Sequence, residues 1–336
     1  MTPEREITER VALTDAPGRQ NPDAIGWARE PLIDTDDIGR GLRGWGRSKR
    51  WEHWTVLTPT HAVALMIGAL DYANVRQLWV LDRRTGTEVD AFEISPLSVG
   101  VQLPGTLDRG PARSNGRQVS LELSDAAGAT LLVGRSPRVR VEIVAARRPG
   151  HETLTSASPY ADSQPSMTVR DVDRPASGVF EIDGIVHDVP AGASWAMLDH
   201  LRARPPYRTH WIRAAGAGMA SGHRMGLQLE GGPQAVRHGV SQNAFAVDGR
   251  VHKIAGDLEW IIDRGDPTAP WRARGDRVDL TLHPEHVRRG TTRLLALRYE
   301  RHQRIGRFQG RVRTDGGEWL DVDGVTGWAE EVVARW

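Results

Sequence analysis

The chain has 336 residues, with 44 lysines and arginines, 43 aspartates and glutamates and 12 histidines, so its formal net charge is +1. This near-neutral balance argues against a nucleic-acid-binding protein, which normally carries an excess of positive charge. The sequence contains no cysteine, which excludes a disulfide scaffold, thiolate catalysis and cysteine metal sites and agrees with a reducing compartment. We therefore expect a globular protein of one large or two medium domains.

The N-terminal segment, MTPEREITERVALTD, has no apolar stretch of signal-peptide length. The longest apolar run, residues 62–70, is too short to cross a bilayer. From these two observations we expect a cytoplasmic protein without a membrane span. The sequence leaves the oligomeric state open.

Aromatic and basic residues are interleaved in GWGRSKRWEHWTVLTP, residues 44–59. Trp51 and Trp54 flank His53, and four aromatic or basic residues precede them. The rings could stack on bases, form an anion or carboxylate site at a barrel mouth, or pack under arginines at the rim of a core. We take Trp51, His53 and Trp54 as candidate ligand-binding residues.

Alternating apolar and polar residues predict antiparallel strands in the rest of the chain. QVSLELSDAAGATLLVG, residues 118–134, alternates, turns and alternates again as a hairpin does, and residues 138–144 continue the pattern. FEIDGIVHDVPAG at 180–192 and FAVDGRVHKIAG at 245–256 share an Asp-Gly pair that favours a tight type I′ turn. Because long segments with a 3.6-residue period are scarce, we predict a mainly β protein.

A stretch rich in proline, serine and aspartate, residues 147–178, lies near the middle of the chain. We predict an N-terminal β-barrel-like domain over 1–150, a junction over 151–178 and a C-terminal β-barrel-like domain over 179–336. Each part is long enough to close into an antiparallel barrel or sandwich. A barrel of eight or more strands can keep room for one small ligand.

The densest group of titratable and aromatic residues is SWAMLDHLRARPPYRTHW, residues 194–211. Two strands separated by a Pro-Pro pair would place one carboxyl and one phenol on an inward face among large apolar side chains. That face would carry Trp195, Met197, Asp199, Tyr207 and Trp211. The candidate catalytic residues are Asp199, His200 and Tyr207, and the further candidate ligand-binding residues are Trp195, His210 and Trp211.

Asp199 is the candidate general acid of this segment, with His200 or Tyr207 to orient it. Burial of a carboxyl against aromatic rings disfavours its ionised form, which raises its pKa and makes it a proton donor. The alternative is that Asp199 pairs with an arginine such as Arg202 or Arg208. Spacing alone leaves both interpretations open.

Cofactor and metal motifs are missing from the sequence. We find no phosphate-binding loop, dinucleotide fingerprint or G-x-S-x-G elbow. In HPEH, residues 283–286, the proline prevents the helical spacing that would let both histidines bind one zinc ion. We therefore expect no cofactor and no metal.

Seven segments, in this order, resemble a bacterial and fungal family called domain of unknown function 2804. They are NPDAIGWAREPL (21–32), WGRSKRWEHW (45–54), LDYA (70–73), RRPGHET (147–153), MLDH with PYRTHW (within 197–211), FAVDGRVHKI (245–254) and GWAEEVVARW (327–336). The last segment departs from the family pattern, which often has histidines where Val332 and Val333 stand. The family name implies no activity.

Trp195, Asp199 and His200 are similar, over a short stretch, to the tryptophan-aspartate-histidine signature of tandem lipocalin-like proteins. That group includes carotenoid hydratases and some pericyclases. The resemblance implies two antiparallel calycin-type barrels in tandem, with a ligand site at or near their junction. It also implies acid catalysis on an apolar polyene or terpenoid-like substrate.

Three functions agree with these observations. The first is a cofactor-independent hydratase, isomerase or cyclase in which Asp199 donates a proton to an apolar or amphipathic small molecule. The second is a non-catalytic carrier of a lipid or isoprenoid in the same cavity. The third is a carbohydrate-active hydrolase or lyase with paired carboxylates, such as Asp199 with Glu259 or Glu330 with Glu331.

Overall fold

A computed structural model of the chain describes residues 4–16, 18–39, 44–97, 99–107, 109–126, 128–294 and 297–336. Within these ranges the chain forms 28 β-strands, one 3-10 helix (Pro22–Ala24) and no α-helix, so the predicted mainly β class is confirmed. The strands up to residue 203 are β1 (Val11–Ala12), β2 (Gly26–Ala28), β3 (Ile33–Asp34), β4 (Lys49–Leu57), β5 (His61–Ala69), β6 (Ala73–Asp82), β7 (Glu88–Pro96), β8 (Val101–Gln102), β9 (Ala112–Asn115), β10 (Ser120–Ala126), β11 (Ala129–Arg135), β12 (Val139–Ala146), β13 (Leu154–Ala157), β14 (Ser166–Ile182), β15 (Ile185–Val189) and β16 (Trp195–Ala203). The strands that follow are β17 (Arg208–Ala220), β18 (His223–Gly231), β19 (Val236–Arg237), β20 (Val240–Ser241), β21 (Ala244–Val247), β22 (Arg250–Lys253), β23 (Glu259–Ile261), β24 (Trp271–Gly275), β25 (Val278–Leu294), β26 (Leu297–Arg313), β27 (Trp319–Asp321) and β28 (Thr326–Arg335).

The first large sheet contains fourteen of these strands. Its main path runs β7-β6-β5-β4-β16-β14-β12-β11-β10-β9-β8, while β2, β13 and β15 pair beside that path. The sheet curls into a half-barrel, because the apolar side chains of its inner face collect into one core. That core includes Trp54, Leu65, Leu132 and Leu198.

The second large sheet contains ten strands in the order β22-β21-β18-β17-β28-β26-β25-β24-β23, with β27 paired to β26. It has its own core, which includes Leu227, Phe245 and Phe308. A further apolar cluster joins the two sheets, with Met197 from the first and Trp328 from the second. The predicted architecture of two lipocalin-like antiparallel units packed in tandem is thus confirmed.

Both Asp-Gly hairpins predicted from the sequence are present. Asp183 and Asp248 have φ angles of 49° and 51°, and the glycines that follow them have φ angles of 84° and 85°. These positive angles are those of a type I′ turn, which matches the twist of the flanking strands. β14 therefore pairs with β15, with Ile182 opposite Ile185, and β21 pairs with β22, with Val247 opposite Arg250.

The chain passes from the first sheet to the second at residues 204–207, further along than the predicted junction at 151–178. Most of that polar stretch lies inside the first sheet, in β13 and in the first part of β14. A register shift between Asp171 and Arg174 accommodates part of it, and the two side chains form a buried ion pair with an N–O distance of 2.7 Å. The polar composition of residues 147–178 led us to predict a linker. The sequence does not reveal that these charged side chains are buried as ion pairs within a sheet.

Candidate functional site

A cavity of about 420 Å³ lies between the outer face of the first sheet and the second sheet. Strands β4 to β7 and β16 form one wall, and β17, β25, β26 and β28 form the other. Its apolar and aromatic lining includes Trp51, Met66, Leu70, Val75, Phe92, Ile94, Trp211, Leu297, Tyr299 and Trp336. Its polar lining includes His53, Gln77, Glu88, Asp90, Asp199, Arg213, Arg288, Arg301 and Glu330. A cavity of this size and composition is typical of sites for small organic molecules.

Strand alternation decides which residues of β16 reach the cavity. Leu198 packs in the core of the first sheet, whereas Met197 faces the second sheet and Asp199 lines the cavity. His53 is the direct neighbour of Asp199 on the adjacent strand β4. Successive side chains of a strand point to opposite faces, so His200 lies on the core side of the sheet, away from Asp199.

Asp199 is held between two arginines from different sheets. Its carboxylate forms ion pairs with Arg170 of β14 and Arg213 of β17, and its Oδ1 accepts a hydrogen bond of 3.0 Å from Trp51 Nε1. The side chain is almost fully buried. The carboxylate of Asp199 is therefore the centre of a buried ion-pair network that joins the two sheets.

The arginine partners of Asp199 differ from those suggested by the sequence. Arg202 donates to the carbonyl oxygens of Pro104 and Trp51, and Arg208 is exposed at the start of β17. Arg202 is three residues from Asp199 in the same strand and therefore points to the opposite face. Asp199 does pair with arginines, as the alternative interpretation held. The partners are Arg170 and Arg213, not Arg202 or Arg208.

Arg213 connects Asp199 to a second buried carboxylate. Its Nη2 lies 2.7 Å from Glu330 Oε1, and Gln303 Nε2 donates to Glu330 Oε2 at 3.5 Å. Burial alone would raise the pKa of Glu330, but Arg213 and Arg301 lower it below its ordinary value. We call Arg170, Asp199, Arg213 and Glu330 the Asp199 ion group.

The aromatic wall of the cavity lies beside the Asp199 ion group. The rings of Trp211 and Trp336 are stacked, with centroids 6.4 Å apart and an interplanar angle of 6°, and Tyr299 is tilted against Trp211 at 6.2 Å. Burial and the charge of Glu330 raise the pKa of Tyr299 to about 12, so its phenol is protonated at neutral pH. The guanidinium of Arg213 lies 5.6 Å from the ring centre of Trp211, within cation–π range.

His53 also lines the cavity, next to Asp199 on the adjacent strand. Desolvation lowers its pKa to about 3, against an opposing effect of Glu330 and with support from nearby arginines. The imidazole is therefore neutral at physiological pH, and it can donate one hydrogen bond and accept one.

The structure does not bring the three candidate catalytic residues together. Tyr207 is 55% exposed and does not line the cavity. His200 is buried on the core side, 3.5 Å from Glu52, and neither of its ring nitrogens has a hydrogen-bond partner among the described residues. Burial is the main cause that lowers the pKa of His200.

The candidate ligand-binding residues divide into two groups. Trp51, His53 and Trp211 line the cavity together with Asp199. Trp54 is buried in the core of the first sheet, Trp195 packs between the sheets, and His210 pairs with Glu331 at 2.9 Å.

The carboxylate pairs considered for carbohydrate chemistry do not meet in the cavity. Glu259 is exposed on β23, and Glu331 turns away from Glu330 to pair with His210 and Arg264. The two carboxylates that do meet are Asp199 and Glu330, through Arg213.

The sequence interpretation missed Arg213, Tyr299, Arg301 and the position of Glu330. One signal for Arg213 was available, because it lies two residues after Trp211 and so shares its face of the strand. Tyr299 and Arg301 also share one face of β26, but no spacing in the sequence relates that strand to β16. Within the described ranges, no group of three or more histidine, aspartate and glutamate side chains could hold a metal ion.

Two curled antiparallel sheets in tandem, with an aromatic cavity between them, form a tandem lipocalin-like fold. The chain belongs to the family described as domain of unknown function (DUF2804), whose model matches residues 4–336. No curated protein shows significant sequence similarity to it.

Two solved structures with this fold have low sequence identity to the chain. The structure of CghA with Sch210972 has a TM-score of 0.53 and 11% identity and covers 86% of this chain and 89% of that chain. Kievitone hydratase from Nectria haematococca has a TM-score of 0.50 and 9% identity and covers 89% of this chain and 93% of that chain. At such identities the similarity shows the fold alone. No described helix is long and apolar enough to cross a membrane.

Proposed function

We propose that the protein binds an apolar or amphipathic small molecule, of a terpenoid, polyene or lipid-like kind, in the cavity between its sheets. We further propose that it catalyses a cofactor-independent hydration, isomerisation or cyclisation of that molecule. The observation that carries the proposal is the meeting of an aromatic wall with buried ionised carboxylates in one cavity. The hydratase among the proteins of similar fold supports the same class of chemistry.

The charges of the site suggest a role for each group. Reactions of this class develop positive charge on carbon, which a carboxylate and aromatic rings both stabilise. Asp199, which forms ion pairs with two arginines, would act as the stabilising anion or as the base that accepts a proton, instead of the general acid that the sequence suggested. The phenol of Tyr299, which stays protonated, would donate a hydrogen bond to the ligand, and Trp51, His53 and Trp211 would contact the ligand. His200 and Tyr207 lie outside the cavity.

A non-catalytic carrier is the second candidate. Both carboxylates of the Asp199 ion group already have arginine partners, so their charges are compensated without a ligand. A carrier would use the aromatic wall for affinity and would return its ligand unchanged. A glycosidase is less well supported, because Asp199 and Glu330 share one guanidinium instead of facing an open glycosidic bond.

To test whether a ligand binds in the cavity, we would fill the cavity with a large side chain. Gly290 of β25 lines the cavity, and a Cβ placed there would meet no atom within 4 Å. Native mass spectrometry of the purified protein, followed by organic extraction, should reveal a bound organic molecule that is lost in Gly290→Phe. The matched control is Gly316→Phe in the exposed turn after β26, where a Cβ meets only a hydroxyl at 3.7 Å, and this variant should retain the molecule.

The extracted molecule then separates the two candidates. Incubation with stripped protein should give a product that differs by one water or by isomerisation, resolved by chromatography and mass spectrometry. Recovery of the unchanged molecule in full would support the carrier and contradict catalysis. A molecule that binds Gly290→Phe as well as the unaltered protein would contradict the cavity as its site.

A further inference from the structure

Unlike Arg213 and Arg288 of the same cavity, Arg301 has no carboxylate within ion-pair distance among the described residues. Arg289 also lines the cavity without such a partner, but it is exposed. Arg213 pairs with two carboxylates, and Arg288 pairs with Glu88 at 3.2 Å and with Asp90 at 2.5 Å. Arg301 also lines the cavity, but its side chain forms no hydrogen bond or ion pair with any residue that the structure describes. Its Nε is shielded from solvent and has no acceptor.

The space in front of Arg301 is open. Gly290 is its direct neighbour on β25, and no atom lies within 4 Å of the point where a Cβ of Gly290 would stand. Tyr299, two residues earlier in β26, shares the face of Arg301 and contacts the stacked pair of Trp211 and Trp336. A ligand lying on these rings would therefore extend towards the guanidinium of Arg301.

A guanidinium presents five N–H donors in a planar fork that matches a carboxylate. The Nε of Arg301 is enclosed without an acceptor, which is unfavourable, and the carboxylates that line the cavity already have closer partners. The missing acceptor must therefore come from a ligand or from water. An oxyanion fits better than a neutral oxygen because a charge-assisted, two-bond contact is the stronger one.

We propose that the ligand of this cavity is an organic acid: its apolar body lies on Trp211, Tyr299 and Trp336, and its carboxylate or similar oxyanion pairs with Arg301. The inference rests on the proposed function of the cavity and narrows the ligand class from amphipathic molecules in general to acidic ones.

Two fluorescent probes with one ring system test the charge requirement directly. They are 1-anilinonaphthalene-8-sulfonate, which is an anion, and N-phenyl-1-naphthylamine, which lacks the sulfonate and is neutral. Arg301→Met keeps much of the side-chain length and removes the charge, and Arg301→Lys restores the charge without the fork. The matched control is Arg250→Met, at an exposed position on β22 outside the cavity.

Arg301→Met should weaken binding of the anionic probe about tenfold to a hundredfold, as expected for loss of a hydrogen bond between charged groups. Binding of the neutral probe should stay unchanged, Arg301→Lys should recover part of the lost affinity, and Arg250→Met should alter neither probe. A general loosening of the cavity would weaken both probes together, so equal effects on the two would overturn the inference. An unchanged affinity of Arg301→Met for the anion would also overturn it.

The same titrations distinguish this inference from the proposed function. In one outcome, both probes bind the unaltered protein, Gly290→Phe abolishes their binding, and Arg301→Met leaves the affinity of both unchanged. The cavity then binds small molecules, and the proposal of an acidic ligand is wrong. If neither probe binds in a saturable manner, or Gly290→Phe has no effect on either, the cavity is not the binding site and both proposals fall.

Discussion

Replacement of Asp199 by asparagine should destabilise the folded protein strongly, because it removes a negative charge that two buried arginines share. Asp199, Arg170 and Arg213 are 4%, 4% and 7% exposed. Arg213 retains Glu330 as a partner in the variant. Among the described residues, Arg170 has no other carboxylate within ion-pair distance and keeps only a long contact to Gln242 at 3.4 Å.

The size of the effect follows from that one uncompensated arginine. Removing one partner of a buried ion pair costs about 3–5 kcal/mol, because the remaining charge is left in a medium that solvates it poorly. We expect Asp199→Asn to lower the free energy of unfolding by about this amount. The double variant Asp199→Asn/Arg170→Met also removes the unpaired charge of Arg170. It should recover a large part of the lost free energy of unfolding, although each substitution alone is destabilising.

Equilibrium unfolding in urea, followed by tryptophan fluorescence, measures these free energies. The matched control is Asp183→Asn, because Asp183 also pairs with two nitrogens of one arginine, Arg138, at 2.9 and 2.6 Å. That pair is exposed, and asparagine tolerates the positive φ angle of position 183, so we expect little or no change. Equal losses in the two aspartate variants would refute the assignment of Asp199 as a buried ionised carboxylate. Failure of Arg170→Met to rescue Asp199→Asn would refute the part assigned to Arg170.

Two further predictions concern titratable groups on β4. Burial raises the pKa of Glu52 to about 7 from an ordinary value of 4.5, so its contribution to stability is complete below pH 4.5 and is lost as the pH rises towards 7. Glu52→Gln should therefore gain about 3 kcal/mol relative to the unaltered protein between pH 4.5 and 7.5 in urea unfolding, and a constant difference across that range would contradict the raised pKa. Desolvation lowers the pKa of His53 to about 3 from 6.5, so its contribution is present above pH 6.5 and is lost as the pH falls towards 3. The ring-proton NMR signals that disappear in His53→Gln should not titrate between pH 5 and 8, and a midpoint inside that window would show that His53 is not desolvated.

Local signals predicted those parts of the fold that depend on neighbouring residues. The hairpin of β10 and β11 could be predicted because its alternating pattern and its turn both lie within residues 118–134. The Asp-Gly turns were readable because only a few residue types adopt their positive φ angles without strain. The passage of the chain from the first sheet to the second at residues 204–207 could not be predicted. Composition does not distinguish a polar linker from a strand whose charges are buried as ion pairs.

The same limit applies to the site. Asp199, Trp51, His53 and Trp211 could be selected from their own segments, since aromatic and titratable residues were concentrated there. The pairing of Asp199 with Arg170 depends on the register between β14 and β16, which the bulge after Asp171 sets. The contact with Arg213 depends on how the second sheet packs on the first, and no local pattern encodes that packing.

The Asp199 ion group also constrains how a loss of activity can be interpreted. Asp199 belongs to the first sheet, whereas Arg213 and Glu330 belong to the second, so these ion pairs tie the two walls of the cavity together. A ligand that binds only the assembled cavity stabilises that assembly, and by linkage a variant that weakens the assembly weakens ligand binding. Asp199→Asn would then lose activity at low ligand concentration even if the carboxylate took no part in the reaction. A chemical role for Asp199 requires that kcat itself falls at saturating ligand, by more than the fraction of unfolded protein explains.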